Sequence, residues 1–222
     1  MCLDYLKSSI GKKQIVAATG LLLILFVMGH LAGNLLILVG PKAYNGYAKI
    51  LISLRPGLYF IEAGLALIFF IHVWTTLLLI HDNLRARPIQ YARYEPKGKN
   101  TLLARLMPIS GTILVAFVIW HLMDFTFTDH EGSRSILADG KNYGLYGLVV
   151  NTLSIPVHSL FYILAMMSLG LHLSHGVESF IQTFGWQNTQ IAPVLIKISN
   201  YFGIFIAFSY SLIPIYILFL TH

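Results

Sequence analysis

The chain has 222 residues, 56% of them hydrophobic and only 11% charged, with a mean hydropathy of +0.72. A soluble domain carries about 25% charged residues, so the composition excludes an ordinary soluble enzyme and predicts a single integral membrane domain over residues 1–222. The formal charge of +6 then reads as basic loops beside the membrane, a topology signal, and not as affinity for nucleic acid.

The one cysteine, Cys2, can neither close an internal disulfide nor hold an iron–sulfur cluster, which takes about four cysteines. There is no GxGxxG after a strand and no GxxxxGKS/T, so the chain carries no recognisable flavin, nicotinamide or ATP site.

In chain order, MCLDYLKSSIGKK is basic and leads into an apolar run. That run is longer than the core of about 7–15 residues in a secretory signal, so it predicts a retained helix led in by a short interfacial segment. A crossing helix needs about 20 apolar residues, and five segments qualify. Helix I covers roughly 14–40. Residues 41–56, PKAYNGYAKILISLRP, follow as an amphipathic segment lying on the outer surface. Helix II covers roughly 57–82, with Glu62 its only charge before Asp82. Helix III covers roughly 105–127, and a loop at 128–147 carries Asp129, Glu131 and Asp139. Helix IV covers roughly 148–183 and helix V roughly 194–220. A strand in lipid would leave its edge groups unpaired, so the fold class is all-α, five transmembrane helices in a bundle.

Lys and Arg set the orientation. The N-terminus, the II–III loop and Lys197 together hold ten of them: Lys7, Lys12, Lys13, Arg85, Arg87, Arg93, Lys97, Lys99, Arg105 and Lys197. The other side holds five: Lys42, Lys49, Arg55, Arg134 and Lys141. The expected topology has a cytoplasmic N-terminus and an outside C-terminus.

Nine histidines stand out in so apolar a chain. His81, His130 and His222 fall at helix ends or in loops, where a solvated imidazole is unremarkable. His30, His72, His121, His158, His172 and His175 fall inside four of the helices, and an ionisable group at membrane depth marks function by default. At about 1.5 Å per residue, His30 lies about 25 Å from the inner edge and His121 about 24 Å, whereas His72 lies about 15 Å and His172 about 9–20 Å from it. Depth therefore sorts four histidines into an outer pair, His30 with His121, and an inner pair, His72 with His172. Two pairs at two depths suit two bis-histidine haems. Zinc would want about four ligands at one depth, and a proton relay would mix in more carboxylates. His158, about 21 Å outward of His172 on nearly the same face, is an alternative outer ligand or a partner for a propionate or a quinone. His175 is an alternative to His172. Gly29 and Gly33 around His30, Gly170 and Gly176 around His172, and Gly111 on helix III would let a flat macrocycle approach the backbone. Ordinary packing of small residues between helices is the competing explanation.

These residues carry a resemblance. GLLLILFVMGHLAGNLL, AYNGYAKIL, FIEAGLALIFFIHVW, ISGTILVAFVIWHL and LHLSHGVESFIQTFGW together resemble the di-haem cytochrome b membrane subunit of succinate:quinone oxidoreductases and quinol:fumarate reductases, in its single-subunit, five-helix form. The resemblance covers nearly the whole chain. Its most specific part is His-x-Ser-x-Gly followed by Phe-Gly, here His172, Ser174, Gly176, Phe184 and Gly185, which favours His172 over His175. It implies two haems b, with His30 and His121 on the outer iron and His72 and His172 on the inner. It also implies a flavoprotein with covalent FAD and an iron–sulfur protein as partners on the cytoplasmic side. The other implications are a quinone, usually menaquinone, as the membrane substrate and the cytoplasmic membrane of a prokaryote as the location. The dicarboxylate chemistry would sit on the flavoprotein. Some members carry a Glu two residues before the helix IV ligand for transmembrane proton movement; the residue here is Gly170, so that route is not expected.

Within this frame, Glu62 and His158 are the candidates to hold the quinone or handle its protons. Lys12, Lys13 and Arg105 are candidates to pair with inner-haem propionates. The competing readings are a cytochrome b of another respiratory enzyme, such as a nitrate reductase or hydrogenase, and a haem-free anchor or transporter.

Overall fold

The computed structural model describes residues 2–86 and 101–221. The loop cations Arg87, Arg93, Lys97 and Lys99, and His222, lie outside the described residues. Among those described, the only strand-like feature is an isolated bridge between Ile136 and Asn142, and the rest is helix and loop. A short α1, Cys2–Lys7, leads into α2, Ser9–Asn34, as the basic leader predicted. The Ser8 hydroxyl caps α2 by accepting from the Gly11 N–H at 3.1 Å, which satisfies one of the donors a helix start leaves open. A 3-10 turn, Leu35–Leu38, extends α2 outward.

The chain then turns on Gly40, whose φ of +123° suits glycine alone, and Pro41 starts α3, Pro41–Ser53. Proline fits the first helical position because its missing N–H would be unpaired there anyway. Asn45 of α3 donates to the Tyr143 carbonyl at 2.7 Å and accepts from the Tyr146 N–H at 3.0 Å. One amide thus fastens this segment to the outer loop.

The long apolar helices are α2 with its extension, α4 (Gly57–Arg85), α5 (Thr101–Phe125), α7 (Pro156–Thr183) and α8 (Ala192–Thr221). All five are long and apolar enough to cross a membrane. Helix IV departs from expectation. Residues 148–183 do not form one helix; α6, Gly144–Leu153, ends before α7 begins at Pro156. Proline has no N–H to give and drives the residue before it out of the helical region. Ile155 accordingly sits at φ −77°, ψ 113°. Hydropathy ran straight through this break because no charge marks it.

The helices α7 and α8 pack along each other, α5 packs on α7, and α2 packs on α4 and α7. The α7–α8 seam is built on small residues. A Cβ on Gly170 would lie 2.7 Å from both the Ala207 Cβ and the Gly203 carbonyl oxygen, and one on Gly203 would run into Ser174 and the Gly170 carbonyl. In lipid such close approach, not exclusion of water, holds helices together. Meanwhile α4 and α5 leave large apolar side chains such as Phe60, Phe70, Ile109 and Met123 exposed, as lipid-facing helices do. A second cluster, Ile37, Tyr44, Val150, Leu153, Tyr162 and Ile217, closes one end of the bundle under α6. Tyr44 donates from its phenol to Asn34; burial, helped by the neighbouring Tyr47, pushes that phenol up to about 12, so it remains a donor.

Candidate haem and quinone sites

His72 on α4 faces His172 on α7, with ring centroids 6.5 Å apart and planes at 64°. Each ring is braced by a hydroxyl from another helix. His72 Nδ1 lies 3.1 Å from Thr19 Oγ1 on α2, and His172 Nδ1 lies 3.1 Å from Ser110 Oγ on α5. Thr19 also reaches the Ile15 carbonyl at 2.7 Å, and Ser110 the Met107 carbonyl at 3.1 Å. A hydroxyl that donates to its own helix offers the imidazole a lone pair, which suits an Nδ1–H tautomer with Nε2 turned toward a metal. A hydrogen bond at the far nitrogen is how a metal-binding histidine is oriented.

His30 on α2 faces His121 on α5, with centroids 5.8 Å apart and planes at 89°. This pair has an aromatic surround in place of hydroxyls. Phe26 stacks on His30 at 5.2 Å, Phe117 stacks on His121 at 5.6 Å, and Phe125 meets His121 edge-on at 5.3 Å. Tyr210 of α8 donates to the Val27 carbonyl at 2.8 Å, which ties α8 to α2 one turn before His30. His121 Nδ1 is buried with no hydrogen-bond partner, a state that costs roughly 1–3 kcal/mol unless something binds there.

Both pairings match the ones that depth alone suggested, and the separations suit one iron between two rings. With a metal–nitrogen bond of about 2.0 Å and a ring centroid roughly 1 Å behind each nitrogen, two axial imidazoles have centroids about 6 Å apart. The pairs also bridge helices that do not otherwise pack closely, α4 with α7 and α2 with α5. Among the described residues no three His, Cys, Asp or Glu side chains converge as a metal cluster.

The glycines divide. Gly111 stands against the His172 ring, where a Cβ would lie 3.6 Å from Cε1, and Gly20 does the same for His72 at 3.3 Å. Gly20 was not singled out from the sequence; its place one turn from no histidine hid it. Gly29 and Gly176 face open space, whereas Gly33 packs on the Tyr47 ring and Gly170 on α8. For Gly33 and Gly170 the packing explanation is the correct one. At residue 170 a larger side chain would strike Gly203 and Ala207, so the fold itself disfavours a carboxylate there.

The remaining candidates separate. His158 lies near the start of α7, with Nδ1 3.9 Å from Asp124 Oδ2 and its ring edge-on to Trp120 at 5.6 Å. Glu62 is exposed on α4, 3.5 Å from Arg55, whose guanidinium sits 4.2 Å over the Tyr59 ring. His175 lies on α7 with Nδ1 buried and unpartnered. Lys12 Nζ is 2.5 Å from Asp82 Oδ2, so its charge is committed to a carboxylate 70 positions away, a pairing no local pattern announced. Lys13 and Arg105 are exposed. His130, expected to be solvated, is half-buried and bonds the Phe125 carbonyl at 2.6 Å, closing the end of α5.

The chain is similar to the succinate dehydrogenase cytochrome b558 subunit of Bacillus subtilis (strain 168), with 28% identity over 192 residues, 84% of this chain and 84% of that protein. No family model and no solved structure matches the chain.

Proposed function

We propose that the chain is the membrane cytochrome b subunit of a succinate:quinone oxidoreductase, carrying two haems b and passing electrons between a cytoplasmic iron–sulfur protein and a quinone. The likeness to the cytochrome b558 subunit, extended over most of both chains, supports the membrane-anchor role. The observation that carries the haem assignment is the pair of facing histidine couples, at 5.8 and 6.5 Å. His30 and His121 would hold the outer haem, His72 and His172 the inner.

A haem with two imidazole ligands supplies one-electron transfer with no open coordination position, hence no oxygen or substrate chemistry at iron. This chain's own contributions are orientation and insulation. Thr19 and Ser110 brace the inner rings at Nδ1. Phe26, Phe117 and Phe125 keep water from the outer rings. The inner end, with Lys13 and Arg105 exposed beside it, faces the flavoprotein and iron–sulfur partners, which bring the FAD and the dicarboxylate chemistry. Lys12, held by Asp82, orders that mouth and pairs with a propionate only by sharing its charge. Glu62, His158 or both would meet the quinone, expected to be menaquinone, in the cytoplasmic membrane of a prokaryote.

Purification of the tagged chain from its own membranes tests this. Co-purification of a flavoprotein and an iron–sulfur protein, with succinate-dependent reduction of the haems, is the expected result. Recovery of a nitrate reductase- or hydrogenase-type partner, or of no redox partner, overturns it.

A further inference from the structure

Asp124, in the last turn of α5, is a carboxylate only 7% exposed. Charge at that burial is tolerated only with partners, and three side chains from other segments gather round it. Tyr162 donates its phenol to Asp124 Oδ2 at 3.0 Å. The Arg134 guanidinium lies 3.6 Å from Oδ1, and it is anchored by donating to Thr152 Oγ1 at 2.8 Å. His158 Nδ1 lies 3.9 Å from Oδ2.

Tyr162 and Arg134 are enough to keep the carboxylate satisfied. His158 is the surplus. Its Nδ1 is buried and has no partner at hydrogen-bonding distance, the condition of a group that awaits one. Beside it an open cleft of about 290 Å³ is lined by Trp120, Met123, Asp124 and Arg134, close to the lower end of small-molecule sites at about 300 Å³. The cleft shares α5 with His121. Trp120 directly precedes His121, and the Tyr162 ring lies 6.2 Å from the His121 ring.

We propose that this cleft takes the quinone headgroup against Trp120, with His158 and Asp124 handling the proton at one of its oxygens and Arg134 offsetting the charge that develops there. The site rests on the reading above, in which a quinone is the membrane substrate. Conversion to the quinol adds two electrons and two protons. The two electrons derive from the dicarboxylate oxidised on the partner and would arrive one at a time from a haem held by His30 and His121. His158 gives its proton to one oxygen and is reprotonated through Asp124 from the aqueous side of the 126–143 loop. The other oxygen, on the opposite edge of the ring, takes its proton from water entering the open cleft. Tyr162 positions the carboxylate throughout. Glu62, exposed beside Arg55, does not line this cleft.

The test uses the intact purified complex and a short-tailed azido-naphthoquinone, photolysed and mapped by mass spectrometry. Label on the peptides holding Trp120–Asp124 or Val157–Phe161 is expected; label confined to the Glu62 turn or to the inner mouth overturns the site. In parallel, D124N and H158Q should lower quinone reduction at least tenfold with both haem components still in the reduced-minus-oxidised spectrum. Normal quinone turnover in both variants, or loss of the outer haem with turnover of the remainder intact, also overturns it. Should D124N not assemble, the photolabel on the unsubstituted complex decides. A wild-type complex without haem or quinone turnover sinks the functional reading and this site together. A working complex labelled elsewhere sinks this site alone.

Discussion

The Nδ1 atom of His172 lies 3.1 Å from the Ser110 hydroxyl oxygen, which is also 3.1 Å from the Met107 carbonyl of its own helix. The hydroxyl thus braces the histidine opposite at its far nitrogen. Ser110→Ala should loosen the ring and weaken inner-haem retention by about 10–100-fold, the usual consequence of losing such an outer partner. Ser110→Thr should keep it. Haem titration into the stripped, detergent-solubilised complex measures both, and equal retention in the Ala variant would remove Ser110 from this role.

Single replacement of the histidines tests the pairing itself. His30→Ala and His121→Ala should each delete the same component of the difference spectrum, and His72→Ala and His172→Ala the other. His175→Ala should keep both components. A His175 variant that loses the inner component while His172→Ala retains it would exchange the two assignments.

The α7–α8 seam predicts a packing defect without a haem defect. A Cβ on Gly203 meets Ser174 and the Gly170 carbonyl, so Gly203→Leu should destabilise the bundle by about 1–3 kcal/mol. Gly46→Ala, on α3 with nothing within 4 Å of the added carbon, should be neutral or stabilise by up to about 1 kcal/mol. Thermal unfolding in detergent reads both.

Lys12 and Asp82 join α2 to α4 at the inner mouth. Because the Asp82 side chain is 40% exposed, the coupling in a double-mutant cycle should be small and should shrink with salt. Lys12→Met and Asp82→Asn should therefore cost less together than the sum of their separate effects. Strict additivity would mean that Lys12 finds its partner elsewhere.

The sequence announced the five apolar spans and, through depth counted at a fixed rise, the two histidine couples. Both are one-dimensional properties, a run length and a distance from the nearest charge. What it hid depends on three dimensions or on residues that hydropathy ignores. Pro156 breaks helix IV without altering its apolar average. Gly33 and Gly170 sit beside histidines in sequence yet face Tyr47 and α8 in space. The partners of Asp124 come from a later loop, Arg134, and another helix, Tyr162, which no spacing along the chain reveals.

Haem stoichiometry of the purified chain tests the central claim most directly. A pyridine haemochrome assay should give two haems b per chain, with His30→Ala or His121→Ala reducing it to one and the pair of substitutions together still leaving one. A chain with no haem, or one in which the His30–His121 double variant retains none, would contradict the account.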